Sequence, residues 1–99
     1  MKNIDIINAF LDHRMTQYGH LSTDGTCLYS YWTCIAEFVK NDITEELTLI
    51  INKTYYSNTT SHHREMLIRE AKSQGYRIRY VVDIPKGTDS LLKCRTYAE

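Results

Sequence analysis

The stretch Thr23-Asp24-Gly25-Thr26 decides the fold, because Asp-Gly readily takes the positive φ angles that a tight hairpin turn requires. It predicts a short strand near residues 20–23, paired with the run that follows it. That run, residues 27–39, is rich in aromatic and β-branched residues and has apolar groups on both faces. We therefore expect a strand that is either central in its sheet or covered by a partner.

Upstream of this hairpin, the apolar spacing predicts a helix over residues 3–18, which Gly19 ends. Downstream, the polar residues 40–42 break the central run. Residues 47–56 are then typical of a further strand. The first half of the chain is thus expected to contain one helix and three strands.

The second half begins with a cluster of helix-capping residues at 57–61, which predicts a helix that Gly75 ends. Residues 76–84 alternate between apolar and charged side chains, as in a half-buried strand. Residues 92–98 either return as an edge strand or form a short helix from Ser90. The fold class expected is α+β, an antiparallel sheet of four to five strands with two helices on one face, in the order α-β-β-β-α-β-β.

The length and composition are those of one ordinary globular domain, which we expect to span residues 1–99. The longest apolar stretches are far shorter than the roughly 20 residues that a membrane helix needs. The first residues do not have the apolar core of a secretory signal. We therefore expect no membrane contact and a location in the cytoplasm of a host cell.

Few residues suggest reaction chemistry. Cys27, Cys34 and Cys94 are odd in number and show no CxxC spacing, so neither a zinc ribbon nor a paired set of disulfides is indicated. His62 and His63 are adjacent, and on a helix they would point about 100° apart, which prevents them from sharing a metal ion. We expect no enzyme, no metal and no cofactor, and keep a small Cys/His enzyme as a third hypothesis.

Charge and aromatic residues instead suggest binding. Residues 1–50 carry three Lys or Arg against seven Asp or Glu, whereas residues 51–99 carry nine against five. If the last two strands pair, their cations and aromatic rings lie together on one basic face. Such a face suits the binding of nucleic acid or of an acidic protein surface. Exposed Tyr and Trp also mark contact surfaces. The candidate binding residues are Arg77, Arg79, Lys86, Lys93, Arg95, Tyr97, Tyr29, Tyr31 and Trp32.

Three segments carry a resemblance to a known family. Residues 24–31 read DGTCLYSY, residues 35–36 read IA, and residues 56–63 read YSNTTSHH. Over residues 20–88 the chain resembles a small domain of unknown function from bacteriophages and plasmids, in which the pattern DGxxLxSY, IA, YSxTTSxH recurs. The resemblance implies an accessory protein that acts by stoichiometric binding, similar to anti-CRISPR inhibitors.

Our leading hypothesis is a non-enzymatic phage or mobile-element protein that binds and modulates a host protein or ribonucleoprotein complex, one that handles nucleic acid or serves defence. The alternative is direct nucleic-acid binding by the basic face. A homodimer through residues 27–39 or through the last edge is also compatible with the sequence.

Overall fold

The computed structural model describes residues 2–98 and contains a six-stranded sheet with two helices on one face. The elements are α1 (Asn3–Leu11), β1 (Met15–Tyr18), β2 (Leu21–Asp24), β3 (Cys27–Ser30), β4 (Thr33–Lys40), β5 (Leu47–Asn52), α2 (Asn58–Ser73) and β6 (Arg77–Val81). The strands lie side by side in chain order. All pairs are antiparallel except β5 and β6, which are parallel. The α+β class is confirmed, with more strands than the four to five expected.

The hairpin predicted from Asp24-Gly25 is confirmed as the β2–β3 turn. The Asp24 carboxylate accepts the backbone N–H groups of Thr26 and Cys27, at 2.9 and 2.8 Å. Gly25 has φ +94°, and a Cβ there would lie 2.8 Å from the backbone oxygen of His13. The turn therefore needs glycine both for its backbone angle and for space.

Two predictions for the start of the chain are wrong, namely the length of the first helix and the role of Gly19. The first helix ends at Leu11, where the Asp12 N–H bonds back to the helix and His13 turns the chain with φ 59°. Residues 15–18 are more stable as an edge strand than as a continuation of the helix, because their backbone pairs with β2. Gly19 therefore lies in the β1–β2 turn, with φ +61°, and does not end a helix.

The run over residues 27–39, expected as one strand, is divided into β3 and β4 by a turn at Tyr31 and Trp32. Residue Ser30 pairs with Thr33 across this turn. Tyr31 and Trp32, two of the aromatic residues that suggested a continuous strand, thus form the turn. Sequence propensity missed this because neither residue is a usual turn former.

The second helix is confirmed at both ends. The Ser57 side chain accepts the Thr60 N–H at 3.1 Å, and Gly75 follows the helix with φ +79°. Leu67 and Ala71 are fully buried against the sheet. The strand that follows, β6, is parallel to β5 and not antiparallel as expected, because α2 returns the chain to the starting end of β5.

The C-terminal segment, residues 82–98, contains no helix and no named strand, so residues 90–98 form neither the edge strand nor the short helix expected. Its pairing with the sheet is a single bridge between Tyr80 and Tyr97. It lies over the face of the sheet opposite the helices, where Ile84 and Leu91 pack in a second apolar cluster. The sheet is therefore covered on both faces, which explains the two-sided apolar pattern of the central run.

Neither α1 nor α2 has the length and hydrophobicity that a membrane span requires.

Candidate functional site

A pocket of about 280 Å³ opens where the β3–β4 turn meets the N-terminus of α2. Among the described residues its lining has seven hydroxyl groups, one lysine and no carboxylate. We call it the hydroxyl pocket, and its lining residues are Ser30, Tyr31, Thr33, Tyr56, Ser57, Thr59, Thr60 and Lys86. Such a lining can donate several hydrogen bonds and one positive charge to a bound group.

The base of the hydroxyl pocket is formed by the side chains that begin α2. Ser57 caps the helix through the backbone N–H of Thr60, and the two hydroxyl groups also contact each other at 3.3 Å. The Thr60 hydroxyl lies 3.0 Å from that of Ser30, which belongs to β3. Helix and sheet are thus joined by hydroxyl groups directly beneath the pocket.

Behind Ser30 lies a buried histidine. His63 Nδ1 is 3.0 Å from Ser30 Oγ, and its Nε2 is 3.3 Å from the amide nitrogen of Asn3 in α1. Burial lowers the pKa of His63, and the neighbouring His62 and His20 lower it further, so the ring is neutral at pH 7. The network therefore links α1, α2 and β3 without a buried charge.

The direction of this network decides what it can do. An amide nitrogen only donates, so Asn3 donates to Nε2 and the ring proton of His63 is on Nδ1. Nδ1–H then donates to the Ser30 oxygen, which also lies 3.0 Å from the Thr60 hydroxyl. The ring therefore bridges α1 and β3, accepting from Asn3 and donating to Ser30.

The turn between β3 and β4 presents two aromatic side chains, and we call Tyr31 and Trp32 the aromatic tip. Their φ angles are 51° and 69°, a region that L-residues rarely adopt. The Tyr31 ring stacks on the His20 ring, with 4.3 Å between their centroids. The backbone N–H of Tyr31 donates to the His20 backbone oxygen at 3.0 Å. Trp32, in contrast, is 84% exposed. The fold thus fixes Tyr31 and directs Trp32 into solvent.

A second, smaller depression lies on the other side of the aromatic tip. Within the described chain its lining contains no Lys, Arg, Asp or Glu, and consists of Gln17, Gly19, His20, Ser22, Tyr31 and Trp32. Tyr31 lines both depressions. The aromatic tip, the hydroxyl pocket and this depression therefore form one continuous surface.

The structure brings together three of the residues predicted for binding, since Tyr31, Trp32 and Lys86 all lie on this surface. Tyr29 does not join them. It is half-buried, its hydroxyl donates to the Asp89 backbone oxygen at 3.3 Å, and burial followed by contact with Cys27 raises its pKa. Tyr29 therefore helps to hold the C-terminal segment.

The predicted basic residues are distributed differently from the expected open face, because the C-terminal segment covers that side of the sheet. Arg79 donates to the Thr96 hydroxyl and backbone oxygen, at 2.7 and 3.1 Å. Arg77 is exposed and forms an ion pair with Glu46 at 3.4 Å. Lys93, Arg95 and Tyr97 lie on the C-terminal segment and are exposed.

Sequence reasoning missed Ser30, Thr60 and His63 as a unit, because residues 30 apart in a chain carry no spacing signal before the fold is known. A signal was nevertheless present. Residues 30–31 and 56–63 belong to two of the three segments that carried the family resemblance, and the fold places both of them at the hydroxyl pocket.

Comparison with known proteins gives one result. The model of a family of unknown function, DUF8033, matches residues 5–82. Neither the curated proteins nor the solved structures include a significant match to the chain.

Proposed function

The chain belongs to DUF8033, a family of unknown function, and we propose that it is a non-enzymatic binding protein whose contact surface is the aromatic tip with its flanking depressions. Its proposed partner is a protein of a host complex that handles nucleic acid or serves defence. In this proposal the chain is a bacteriophage or plasmid accessory protein that acts in the host cytoplasm as a stoichiometric inhibitor, as anti-CRISPR proteins do.

The observation that carries the proposal is the backbone of the aromatic tip. Two-residue hairpin turns with positive φ at both positions normally use Asn and Gly. Bulky residues there cost about 1–2 kcal/mol each. Because Trp32 is 84% exposed, burial in the chain's own core does not offset that cost. A contact with a partner provides a reason for keeping the ring in this position.

The surroundings of the aromatic tip favour a protein over a nucleic acid. The whole chain has a formal net charge of zero, and among the described residues the lining of both depressions contains one lysine and no arginine. Nucleic-acid sites are strongly basic. The cores of protein interfaces are instead depleted in charge and enriched in Tyr and Trp.

The second candidate is direct binding of single-stranded nucleic acid at the same surface. Trp32 could stack on a base while Lys86 and the hydroxyl groups contact a phosphate. This alternative predicts an affinity that falls by about 0.7 log units per phosphate contact for each log unit of salt. Protein binding through neutral rings predicts a much weaker salt dependence.

The test is a pull-down with the tagged full chain from a bacterial host lysate, with and without nuclease. Three forms are compared: wild type, Trp32→Ala, and Ile43→Ala as a matched control. Ile43 is 92% exposed and lies in the β4–β5 loop, at the opposite end of β4 from the aromatic tip. Replacing it removes an equally exposed apolar side chain elsewhere.

The proposal expects a discrete host protein that survives nuclease and is retained by Ile43→Ala. Its affinity should fall about 30-fold or more in Trp32→Ala, as for an interface hot spot. Recovery of nucleic acid alone, lost at higher salt, would support the second candidate. Equal capture by all three forms would contradict both.

A further inference from the structure

Three side chains with metal-binding chemistry meet beneath the C-terminal segment, on the face of the sheet away from the helices. The two sulfur atoms of Cys27 and Cys34 and a carboxylate oxygen of Glu37 all lie within 4.8 Å of one another. All three residues are buried, with at most 5% of their surface exposed. This cluster is separate from the aromatic tip and the hydroxyl pocket.

A bulge in the sheet explains why these residues share a face. Cys27 pairs with Glu37 across β3 and β4, Leu28 pairs with Ala36, and Tyr29 pairs with Cys34, so that residue 35 has no partner. In a regular strand, residues 34 and 37 would point to opposite faces. The extra residue reverses the alternation and turns Cys34 toward Glu37.

The cluster collects groups that can become negative, and within residues 2–98 no ion pair supplies it with a cation. Glu37 accepts hydrogen bonds from the Ser90 hydroxyl and the Leu91 N–H, at 2.9 and 2.7 Å. None of the ion pairs within residues 2–98 includes it. Burial of an ionised carboxylate without a counter-charge is unfavourable.

The same crowding affects the thiols. The Cys34 thiol donates to the Ala36 backbone oxygen at 3.3 Å, and its sulfur lies within 4.8 Å of both the Cys27 sulfur and a Glu37 carboxylate oxygen. Negative charges on three groups this close together would repel one another. A bound divalent cation would remove this repulsion, since it stabilises thiolates and a carboxylate at the same time.

We propose that Cys27, Cys34 and Glu37 form a binding site for Zn²⁺ or a similar thiophilic divalent ion. Two thiolates and a carboxylate are ligands that Zn²⁺ takes, whereas Mg²⁺ and Ca²⁺ require oxygen. On binding, the two thiol protons are released to solvent as the two Zn–S bonds form. The ion neither gains nor loses electrons.

The site has a structural consequence. Because Glu37 holds Ser90 and Leu91, an ion on Glu37 connects the C-terminal segment to the two central strands. Metal binding should therefore raise the stability of the whole chain, because binding free energy adds to that of folding.

The test is a Co²⁺ titration of the full-length protein, reduced with a phosphine, in the absence of other metals. The proposal expects one Co²⁺ per chain, a thiolate-to-cobalt charge-transfer absorption, and displacement by Zn²⁺. Cys34→Ser should weaken Co²⁺ binding by about 100-fold or more. Cys94→Ser is the matched control. Cys94 packs against the second apolar cluster, which includes Cys27 and Cys34, but it is not one of the three proposed ligands, so this variant should keep the absorption.

Circular dichroism of each variant shows whether it is folded. Should Cys34→Ser be unfolded, the melting temperature of the wild type with Zn²⁺ and with a chelator takes its place, and Zn²⁺ should raise it. The proposal is overturned if the reduced, folded wild type gives no charge-transfer absorption. It is also overturned if Cys94→Ser loses the absorption while Cys34→Ser keeps it.

Discussion

Ser30 Oγ lies 3.0 Å from His63 Nδ1, and this contact joins the floor of the hydroxyl pocket to the interface between both helices and the sheet. Both residues are almost fully buried, at 1% and 3% exposure. A buried polar group is stabilising only while its partner is present. The shape of the pocket therefore depends on a network that begins in α1.

Ser30→Ala should destabilise the fold, because His63 and Thr60 both lose a buried partner. We expect a loss of about 1–3 kcal/mol in the free energy of unfolding, measured by urea denaturation. Ser73→Ala at the exposed C-terminal end of α2 is the control and should change it by no more than about 0.5 kcal/mol. Equal effects of the two changes would show that the network contributes nothing.

His63 should make stability depend on pH. Burial lowers its folded-state pKa below the unfolded value of about 6.5. The unfolded chain therefore binds the proton more readily, so this contribution is complete above pH 6.5 and is lost as the pH falls toward the folded pKa. The slope in that window is at most about 1.4 kcal/mol per pH unit.

Urea denaturation of wild type and His63→Gln between pH 5 and pH 7.5 measures this contribution. The variant should lose stability at pH 7.5 and show a flatter dependence on pH. His62→Gln is the comparison, because its exposed side chain lies on the same turn and lowers the His63 pKa less than burial does, so this variant should keep most of the wild-type slope. A wild-type slope in His63→Gln would refute the assignment.

The features that could be predicted from sequence are those encoded within a few residues. Asp24-Gly25 predicts a turn by its own backbone preferences, and Ser57 with Gly75 marks both ends of α2. Each of these signals is local, so it does not depend on which strands later become neighbours.

The features that were missed depend on distant partners. Residues 15–18 have helical spacing, yet pairing with β2 decides their structure. Cys27, Cys34 and Glu37 have no recognisable spacing, because the bulge that brings them together is a property of the pairing between two strands. The basic face was expected to be open because nothing in residues 82–98 indicates that they cover it.

Arg79 should be a structural residue and not a contact residue. Two hydrogen bonds from its guanidinium group to Thr96 hold the C-terminal segment, and bonds from a charged donor contribute about 1.5–3 kcal/mol each when partly buried. Arg79→Ala should therefore increase hydrogen exchange of the segment, read by mass spectrometry. Arg77→Ala removes an exposed pair with Glu46 and should leave exchange unchanged. The assignment would be contradicted by one result of charge reversal at Arg77 and Arg79. That result is a loss of partner binding while hydrogen exchange of the segment stays as in wild type.

Trp32→Gly should separate binding from stability. Glycine adopts φ near 69° without strain, so we expect the free energy of unfolding to rise by about 1 kcal/mol. Partner binding should be lost at the same time, because the ring is gone. Trp32→Ala is the matched control: it loses the ring equally but keeps a Cβ at the strained position, so it should lose binding without the gain in stability. Urea denaturation and the pull-down measure the two effects. If Trp32→Gly proves less stable than Trp32→Ala, the turn is not strained, and the argument that the ring is held there for a partner fails.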